Sequence, residues 1–391
     1  MHFKYEEKNY SIERYPSSDN KSLRAWSAAD EYLLKYLKEN NISYTKPLIY
    51  NDRFGFLSTI LSKQQPNIII NYKSQEKSLE INLKKHDIDL NTISKTRPLD
   101  KLEPPFDLVL IKIPKSLDLF RFQLDQLHQS LKEDTLVVCA FMTKYFSAQI
   151  LKIAADYFEL CEQSVAWKKA RLLFLKKKRK VEKKELINSI SYSTTKEFKQ
   201  YYGVFSAKKI DQATLLLIQH LDVRLGHNKI LDLACGNGIL AHAALVKKPN
   251  AEIHLLDDSE LAIASSKINI DSEKACFHYN DTLENFKNNT FDLIISNPPY
   301  IGLSEINEIS QEVLNHDPEL ALFAGSDGLG AYERIIPQLT KFLNPGGTVV
   351  LEIGASQSDS VKTLMNSSGL SEVKTLKDLA RKDRLVTAKF H

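Results

Sequence analysis

Only four cysteines occur among the 391 residues, Cys139, Cys161, Cys235 and Cys276, and no two share a CxxC spacing. That excludes the common zinc motifs and a disulfide framework, and it fits four reduced thiols in a reducing compartment. The ten histidines are scattered, so no metal is expected. No apolar run approaches the roughly 20 residues that a membrane-spanning helix requires. The opening Met1-His2-Phe3-Lys4-Tyr5-Glu6-Glu7-Lys8-Asn9-Tyr10 carries acids and no apolar core, which argues against a secretory leader and for a cytoplasmic protein.

What is present describes a globular chain with a sizeable core, with 43% hydrophobic and 26% charged residues. Its length exceeds one ordinary α/β unit and suits two domains. The net charge of +4 hides an asymmetry: residues 1–200 hold 35 Lys and Arg against 25 Asp and Glu, and residues 201–391 hold 18 against 24. A basic half joined to an acidic half suggests that the first half faces a polyanion. The excess gathers in Trp167-Lys168-Lys169-Ala170-Arg171 and in Lys176-Lys177-Lys178-Arg179-Lys180. Lys168, Lys169 and Arg171 are candidate contacts to the phosphates of such a polyanion; the competing reading is a solvated linker face. Between the clusters, Leu172-Leu173-Phe174-Leu175 reads as a buried strand closing the first domain. The expected layout is a first domain over 1–180, a linker over 181–203 and a second domain over 204–391.

The two halves share one plan. In the second, Lys229-Ile230-Leu231-Asp232-Leu233 is a short apolar strand that runs into Ala234-Cys235-Gly236-Asn237-Gly238 and then a helix from Ile239. A second strand, Glu252 to Leu256, ends at Asp257-Asp258. A helix follows with Leu261, Ala264, Ile268 and Ile270 on its apolar side. A third strand spans Phe277-His278-Tyr279, and Phe291 to Ser296 is a strand buried on both faces. Strand, Gly turn, helix, strand, acid is the start of a doubly wound parallel sheet. In the first half, Pro47-Leu48-Ile49-Tyr50, the turn Asn51 to Gly55, Ile68-Ile69-Ile70 and Phe106 to Ile111 repeat the order. Pro66 and Pro249 lie 183 positions apart, and Phe106 and Phe291 lie 185 apart, which indicates duplication. The first copy carries Arg53-Phe54 in its turn, Asn71-Tyr72 for Asp257-Asp258, and Lys112-Ile113-Pro114-Lys115 for Asn297-Pro298-Pro299-Tyr300. Each change removes a feature that chemistry needs, so the first copy reads as degenerate.

A Gly-rich turn after a strand lets backbone approach a ligand that a side chain would block. The stretch Asp232 to Gly238, with Asp232, Ala234, Gly236 and Gly238, is the candidate cofactor turn, and it lacks the last glycine of a dinucleotide fingerprint. Asp257 ends the next strand, where a carboxylate can accept both ribose hydroxyls of an adenosyl ligand; Asp258 is the alternative. Asp281 is placed to accept from an adenine amino group, or is a turn residue. Two successive prolines take the chain out of the sheet at Asn297-Pro298-Pro299-Tyr300, at the strand edge where ligands bind. There the Asn297 amide oxygen and the Pro298 carbonyl can accept from one planar NH2 group, and Tyr300 offers a flat face for stacking. The arrangement suits methyl transfer to a conjugated nitrogen.

From about residue 205 onward the set resembles class I S-adenosylmethionine-dependent methyltransferases acting on exocyclic or amide nitrogens. The resemblance implies two tandem Rossmann-like α/β domains, the first degenerate, with S-adenosylmethionine as cofactor. Residues 1 to about 300 resemble the bacterial 23S ribosomal RNA guanine-N2 methyltransferases of type G, through Leu23 to Leu34, Asn51 to Gly55, Ile111 to Lys115, Ala166 to Arg171 and Val204-Phe205-Ser206. That implies ribosomal RNA, free or in an assembly intermediate, as partner, with Tyr300 stacking on the base and its hydroxyl incidental. From about 300, the chain departs: Tyr300-Ile301 stands where those enzymes have Phe-His. His316 to Leu322, Gly325 to Leu329, Leu351-Glu352-Ile353-Gly354 and Lys377 to Arg384 are instead similar to the release-factor glutamine-N5 methyltransferases. Release factor is therefore the alternative substrate, and an inactive RNA-binding assembly protein is a third reading.

Overall fold

The computed structural model describes residues 2–302 and 319–391, apart from 18–22, 134, 195, 207–208, 272, 274, 323 and 326. His316, Asp317, Pro318 and Ser326 of the tail resemblance lie outside the described residues. The chain forms two compact units, residues 1–185 and 186–391. No helix among the described residues is long and apolar enough to cross a membrane.

The first unit opens with a hairpin, β1 (Phe3–Tyr5) and β2 (Lys8–Tyr10), followed by α1 (Ala28–Glu39). Then come β3 (Pro47–Tyr50), α2 (Phe56–Ile60), β4 (Asn67–Ile69), α3 (Lys73–Lys85), β5 (Ser94–Thr96) and β6 (Leu108–Lys112). The unit closes with α4 (Leu117–Ser130), β7 (Leu136–Met142), α5 (Ala148–Tyr157), β8 (Phe158–Gln163) and β9 (Ala170–Lys178). The second unit opens with β10 (Ile187–Ser191), β11 (Glu197–Tyr201) and α6 (Gln212–His220). It continues with β12 (Lys229–Leu233), α7 (Ile239–Lys247), β13 (Glu252–Asp257), α8 (Glu260–Asn269), β14 (Ala275–Tyr279) and β15 (Phe291–Ser296). Last are α9 (Glu319–Leu322), α10 (Gly330–Phe342), β16 (Leu343–Glu352), α11 (Ser358–Ser367), β17 (Ser371–Lys377) and β18 (Asp383–Lys389).

The strand orders are β5-β4-β3-β6-β7-β9-β8 and β14-β13-β12-β15-β16-β18-β17. Numbered within the sheet, each reads 3-2-1-4-5-7-6, with strand 7 alone running antiparallel to the rest. The duplication inferred from the spacing is thus a duplication of topology. Alternate residues of the central strands feed opposite cores. Leu293 and Ile295 join the cluster under α6 and α7, while Ile294 joins the one under α10 and α11. Each such fully buried aliphatic side chain contributes about 1.5–3 kcal/mol.

Several expectations need correction. Residues 187–201 are not linker: β10 and β11 pair as a hairpin of the second unit, with Phe198 wholly buried in its core. The alternation Phe198 and Gln200 buried, Glu197 and Lys199 exposed, is the period-2 signal that the flanking charges masked. The second basic cluster lies largely in strand, because β9 runs on through Lys178. There Lys176 pairs with Glu162 at 2.8 Å and Lys178 donates to the Leu131 carbonyl at 3.1 Å. In α8, Ile268 is exposed, and Ala262, Ile263, Ser265 and Ser266 join Leu261 on the buried side. Ser266 lies against Gly238 of the turn, and Ser265 Oγ accepts from the Tyr201 N–H of β11 at 3.0 Å.

Candidate active site

The turn after β12 is held on both sides by carboxylates. Asp232 is wholly buried, and its Oδ2 accepts from the Ala241 N–H at 2.9 Å, tying the strand to α7. Burial pushes its carboxyl well above the usual range, and Asp257 adds to the rise. The cofactor contact expected of Asp232 is thereby limited to Oδ1, since Oδ2 is committed to the fold. Ala234 has φ +59°, and Gly236 and Gly238 follow in the same left-handed region, so the backbone coils tightly into α7. A Cβ on Gly238 would come within 3.0 Å of Ile270 and 3.2 Å of Ser266, so only glycine lets α8 pack so close. A Cβ on Gly236 would meet nothing within 4 Å, and the turn therefore leaves room against its backbone.

Asp257 closes this side. Its Oδ2 accepts from the Gly236 N–H at 2.9 Å and its Oδ1 from the Ser259 N–H at 2.8 Å. Burial pushes its pKa up to about 6 against the pull of those two bonds. Asp281 stands two residues beyond the end of β14, whose Tyr279 pairs with Asp257, so it lies on the same sheet edge.

Asn297 follows Ser296 on the neighbouring strand. Its Nδ2 donates to Thr214 Oγ1 at 2.8 Å, and no described residue bonds its Oδ1. Thr214 is itself fixed: it lies in the first turn of α6, where Asp211 Oδ2 accepts from Ala213 N–H and Thr214 N–H. Pro298 is buried, while Pro299 and Tyr300 are half-buried. Behind the loop, Gln357 Nε2 donates to the Tyr300 carbonyl at 2.7 Å and Gln357 Oε1 accepts from Gly354 N–H at 2.9 Å. Tyr300 packs on the α10–α11 core, with its hydroxyl toward the carboxyl of Glu352. Thr214, Gln357 and Glu352 were missed from sequence, because they converge on the loop from separate elements and match no local motif.

The first unit has the same frame filled differently. Ile49 stands at the position of Asp232, six residues before the helix-capping glycine in each copy. Strand register then puts Ile70, rather than Asn71, at the place of Asp257. At the place of Gly236 stands Arg53, whose Nη2 donates to Ser74 Oγ at 2.8 Å. Lys112, in the place of Asn297, pairs with the buried Asp30 of α1 at 2.9 Å. Lys168 and Lys169 form a two-residue hairpin turn, both with positive φ, closed by Trp167 and Ala170. Lys168 pairs with Glu31 at 3.0 Å, Arg171 donates to Gln163 Oε1 at 3.3 Å, and Lys169 has no ion pair among the described residues.

Sequence spacing gave no metal site, but the fold gathers ligand-type atoms of Glu252, His254 and Cys276 within 4.8 Å of one another. Glu252 is engaged by His254 at 2.9 Å and by Lys229 at 3.2 Å. The cluster lies toward the start of β13, away from the edge that carries the turn.

Comparison with known proteins agrees with this frame. Residues 1–179 match the RLMG N-terminal domain family and residues 195–325 the methyltransferase small domain family. Ribosomal RNA large subunit methyltransferase G of Colwellia psychrerythraea strain 34H is 31% identical over 319 residues, 75% of this chain and 81% of the relative. The protein of the same name from Shewanella sp. strain MR-4 is 33% identical over 301 residues, 73% of this chain and 79% of the relative. Among solved structures, the Thermus thermophilus 16S rRNA N2 G1207 methyltransferase, in complex with AdoMet and guanosine, matches with a TM-score of 0.71 at 16% identity. That match covers 100% of this chain and 98% of the other.

Fold and site together define a class I S-adenosylmethionine-dependent methyltransferase built as a degenerate unit followed by an intact one. The chain belongs to the ribosomal RNA large subunit methyltransferase G family. S-adenosylmethionine fits the intact turn: the open space at Gly236 lies beside the Asp257 carboxylate, and the first unit puts Arg53 and Ile70 in those two places.

Proposed function

We propose that the second unit methylates the exocyclic N2 of a guanine in 23S ribosomal RNA, in the cytoplasm, and that the first unit supplies RNA affinity. The observation that carries this reading is the Asn297–Thr214 hydrogen bond, which engages the amide nitrogen and leaves Asn297 Oδ1, without a partner among the described residues, to accept from a substrate amine. Asp257, Gly236, Ala234, Asp232 and Asp281 would hold S-adenosylmethionine, which supplies an electrophilic methyl group. Asn297 Oδ1 and the Pro298 carbonyl accept the two amine hydrogens, aligning the nitrogen lone pair and stabilising the charge that grows on it. Lys169, with Lys168 and Arg171, contacts phosphate in an RNA that is free or part of an assembly intermediate. The large-subunit RNA in the relatives' names and the basic first half support this substrate over a protein.

The test is transfer of labelled methyl from S-adenosylmethionine by the full chain, offered deproteinised 23S RNA, immature large-subunit particles and release factor together. Label in RNA, recovered as N2-methylguanosine, is expected. Label on release-factor glutamine alone, or on neither, overturns the substrate assignment.

A further inference from the structure

Glu352 ends β16 and is wholly buried; the Tyr300 hydroxyl lies toward its carboxyl, but neither oxygen makes a close hydrogen bond among the described residues. A fold gains nothing from an unpaired interior acid, and replacing one with an apolar group is often neutral or stabilising. The first unit shows that the topology does not require it. Ile111 pairs with Cys139 as Ser296 pairs with Leu351, so Ala140 stands at the position of Glu352, equally buried. The copy that lost the site lost this acid as well.

Its location is at the catalytic edge. Ser296 and Leu351 are register partners, so Asn297 and Glu352 are level on adjacent strands. Ile295 and Val350, two residues back on each strand, both face the core under α6 and α7, so Asn297 and Glu352 project from the same face. Burial and then the charge of Asp211, which caps α6, push the Glu352 carboxyl up, the Tyr300 hydroxyl lies toward it, and the Tyr332 hydroxyl pins its backbone by donating to the Glu352 carbonyl at 2.7 Å.

We propose that Glu352 determines base specificity by pairing with the N1–H and C6=O edge of the guanine whose N2 amine is held by Asn297 and Pro298. The inference rests on the guanine reading above. N1 adjoins the carbon that bears the amine, so a base with its amine at Asn297 turns the lactam edge along the strand ends toward Glu352. A protonated carboxyl presents one acceptor and one donor side by side, the complement of N1–H and C6=O. Burial, with the Asp211 charge adding to it, raises the carboxyl well above the usual carboxylate range and so favours the protonated form that this pairing uses, with Tyr300 and Arg384 opposing.

The experiment compares two short RNAs spanning the guanine that the wild-type enzyme modifies, one with guanine and one with 2-aminopurine there. The analogue keeps the C2 amine, has no hydrogen on N1 and lacks the C6 oxygen. Glu352→Leu in the full chain is expected to bind S-adenosylmethionine like the wild type. Its kcat/KM preference for guanine over 2-aminopurine should fall roughly 10- to 100-fold, the discrimination a good two-point base contact gives. Glu352→Gln should restore much of that preference, because an amide offers the same acceptor and donor. Should Glu352→Leu fail to fold, Glu352→Ala, which carries the residue of the first unit, takes its place with the same expectation. A wild-type preference retained in the Leu or Ala variant, or no recovery with Gln, overturns the proposal. Failure of the wild type to methylate RNA at all is seen before any variant is compared, and it overturns the guanine reading itself.

Discussion

Asn297 donates to Thr214 across 2.8 Å, and at the same place in the first unit Lys112 pairs with Asp30 across 2.9 Å. Asp30 and Thr214 are each the third residue of their helices, α1 and α6. Both copies thus tie a central strand end to the helix above it. An ion pair does so in the degenerate unit, while the amide in the other leaves Oδ1 without a partner among the described residues. That contrast makes Thr214 a positioning residue for Asn297. Thr214→Val should lower kcat about tenfold, the effect of losing one net hydrogen bond, with affinity for S-adenosylmethionine unchanged. Thr214→Ser should recover most of the rate. Equal losses in cofactor affinity and rate, measured by calorimetry and turnover, would contradict the assignment.

The raised pKa of Asp257 gives cofactor binding a pH dependence. In the proposed contact the ribose hydroxyls need the ionised carboxylate as acceptor, and burial pushes its pKa up to about 6 in the free protein. Affinity for S-adenosylmethionine should therefore fall as pH drops through 6, and binding near that pH should release protons. Calorimetry in two buffers of different ionisation enthalpy measures the release. Asp257→Asn should weaken binding at pH 7 and abolish the dependence around pH 6, and persistence of that dependence would move the titrating group elsewhere.

In the first unit the basic hairpin turn is not uniform. Lys168 is held by Glu31 and lies 4.5 Å from the centre of the Trp167 ring, whereas Lys169 has no ion pair among the described residues. Lys169→Ala should weaken RNA binding more than Lys168→Ala and reduce the salt slope by about one, as one released counterion implies. Equal effects in a salt titration of both variants would contradict that ranking.

Gly328 locks the substrate loop from behind. It has φ +80°, and a Cβ there would lie 2.1 Å from the Tyr300 carbonyl oxygen and 2.5 Å from Gln357 Nε2. Gly328→Ala should lower stability by on the order of 1–3 kcal/mol and cut turnover, with the cofactor turn intact. Gly346 is also left-handed but open around its Cβ position, so Gly346→Ala should affect melting less and turnover little.

The double-unit fold was legible in the sequence because the central strands are near-continuous apolar runs that recur at a constant spacing. The cofactor turn and the Asn297 loop were legible because glycine and paired prolines leave local marks at fixed offsets. What stayed hidden depends on tertiary meeting points. Thr214 and Gln357 act on the loop from 83 and 57 residues away, and Glu352 looks in sequence like the polar end of any strand. The β10–β11 hairpin was hidden by its own charges, which alternate outward around Phe198 and Gln200 and read as linker.

The most direct measurement of the central claim is nucleoside mass spectrometry of ribosomal RNA from cells lacking this chain, complemented with wild type or Asn297→Ala. The account predicts that one N2-methylguanosine disappears from large-subunit RNA, returns with wild type and stays absent with Asn297→Ala. An unchanged N2-methylguanosine content, with N5-methylglutamine lost from release factor instead, would contradict it.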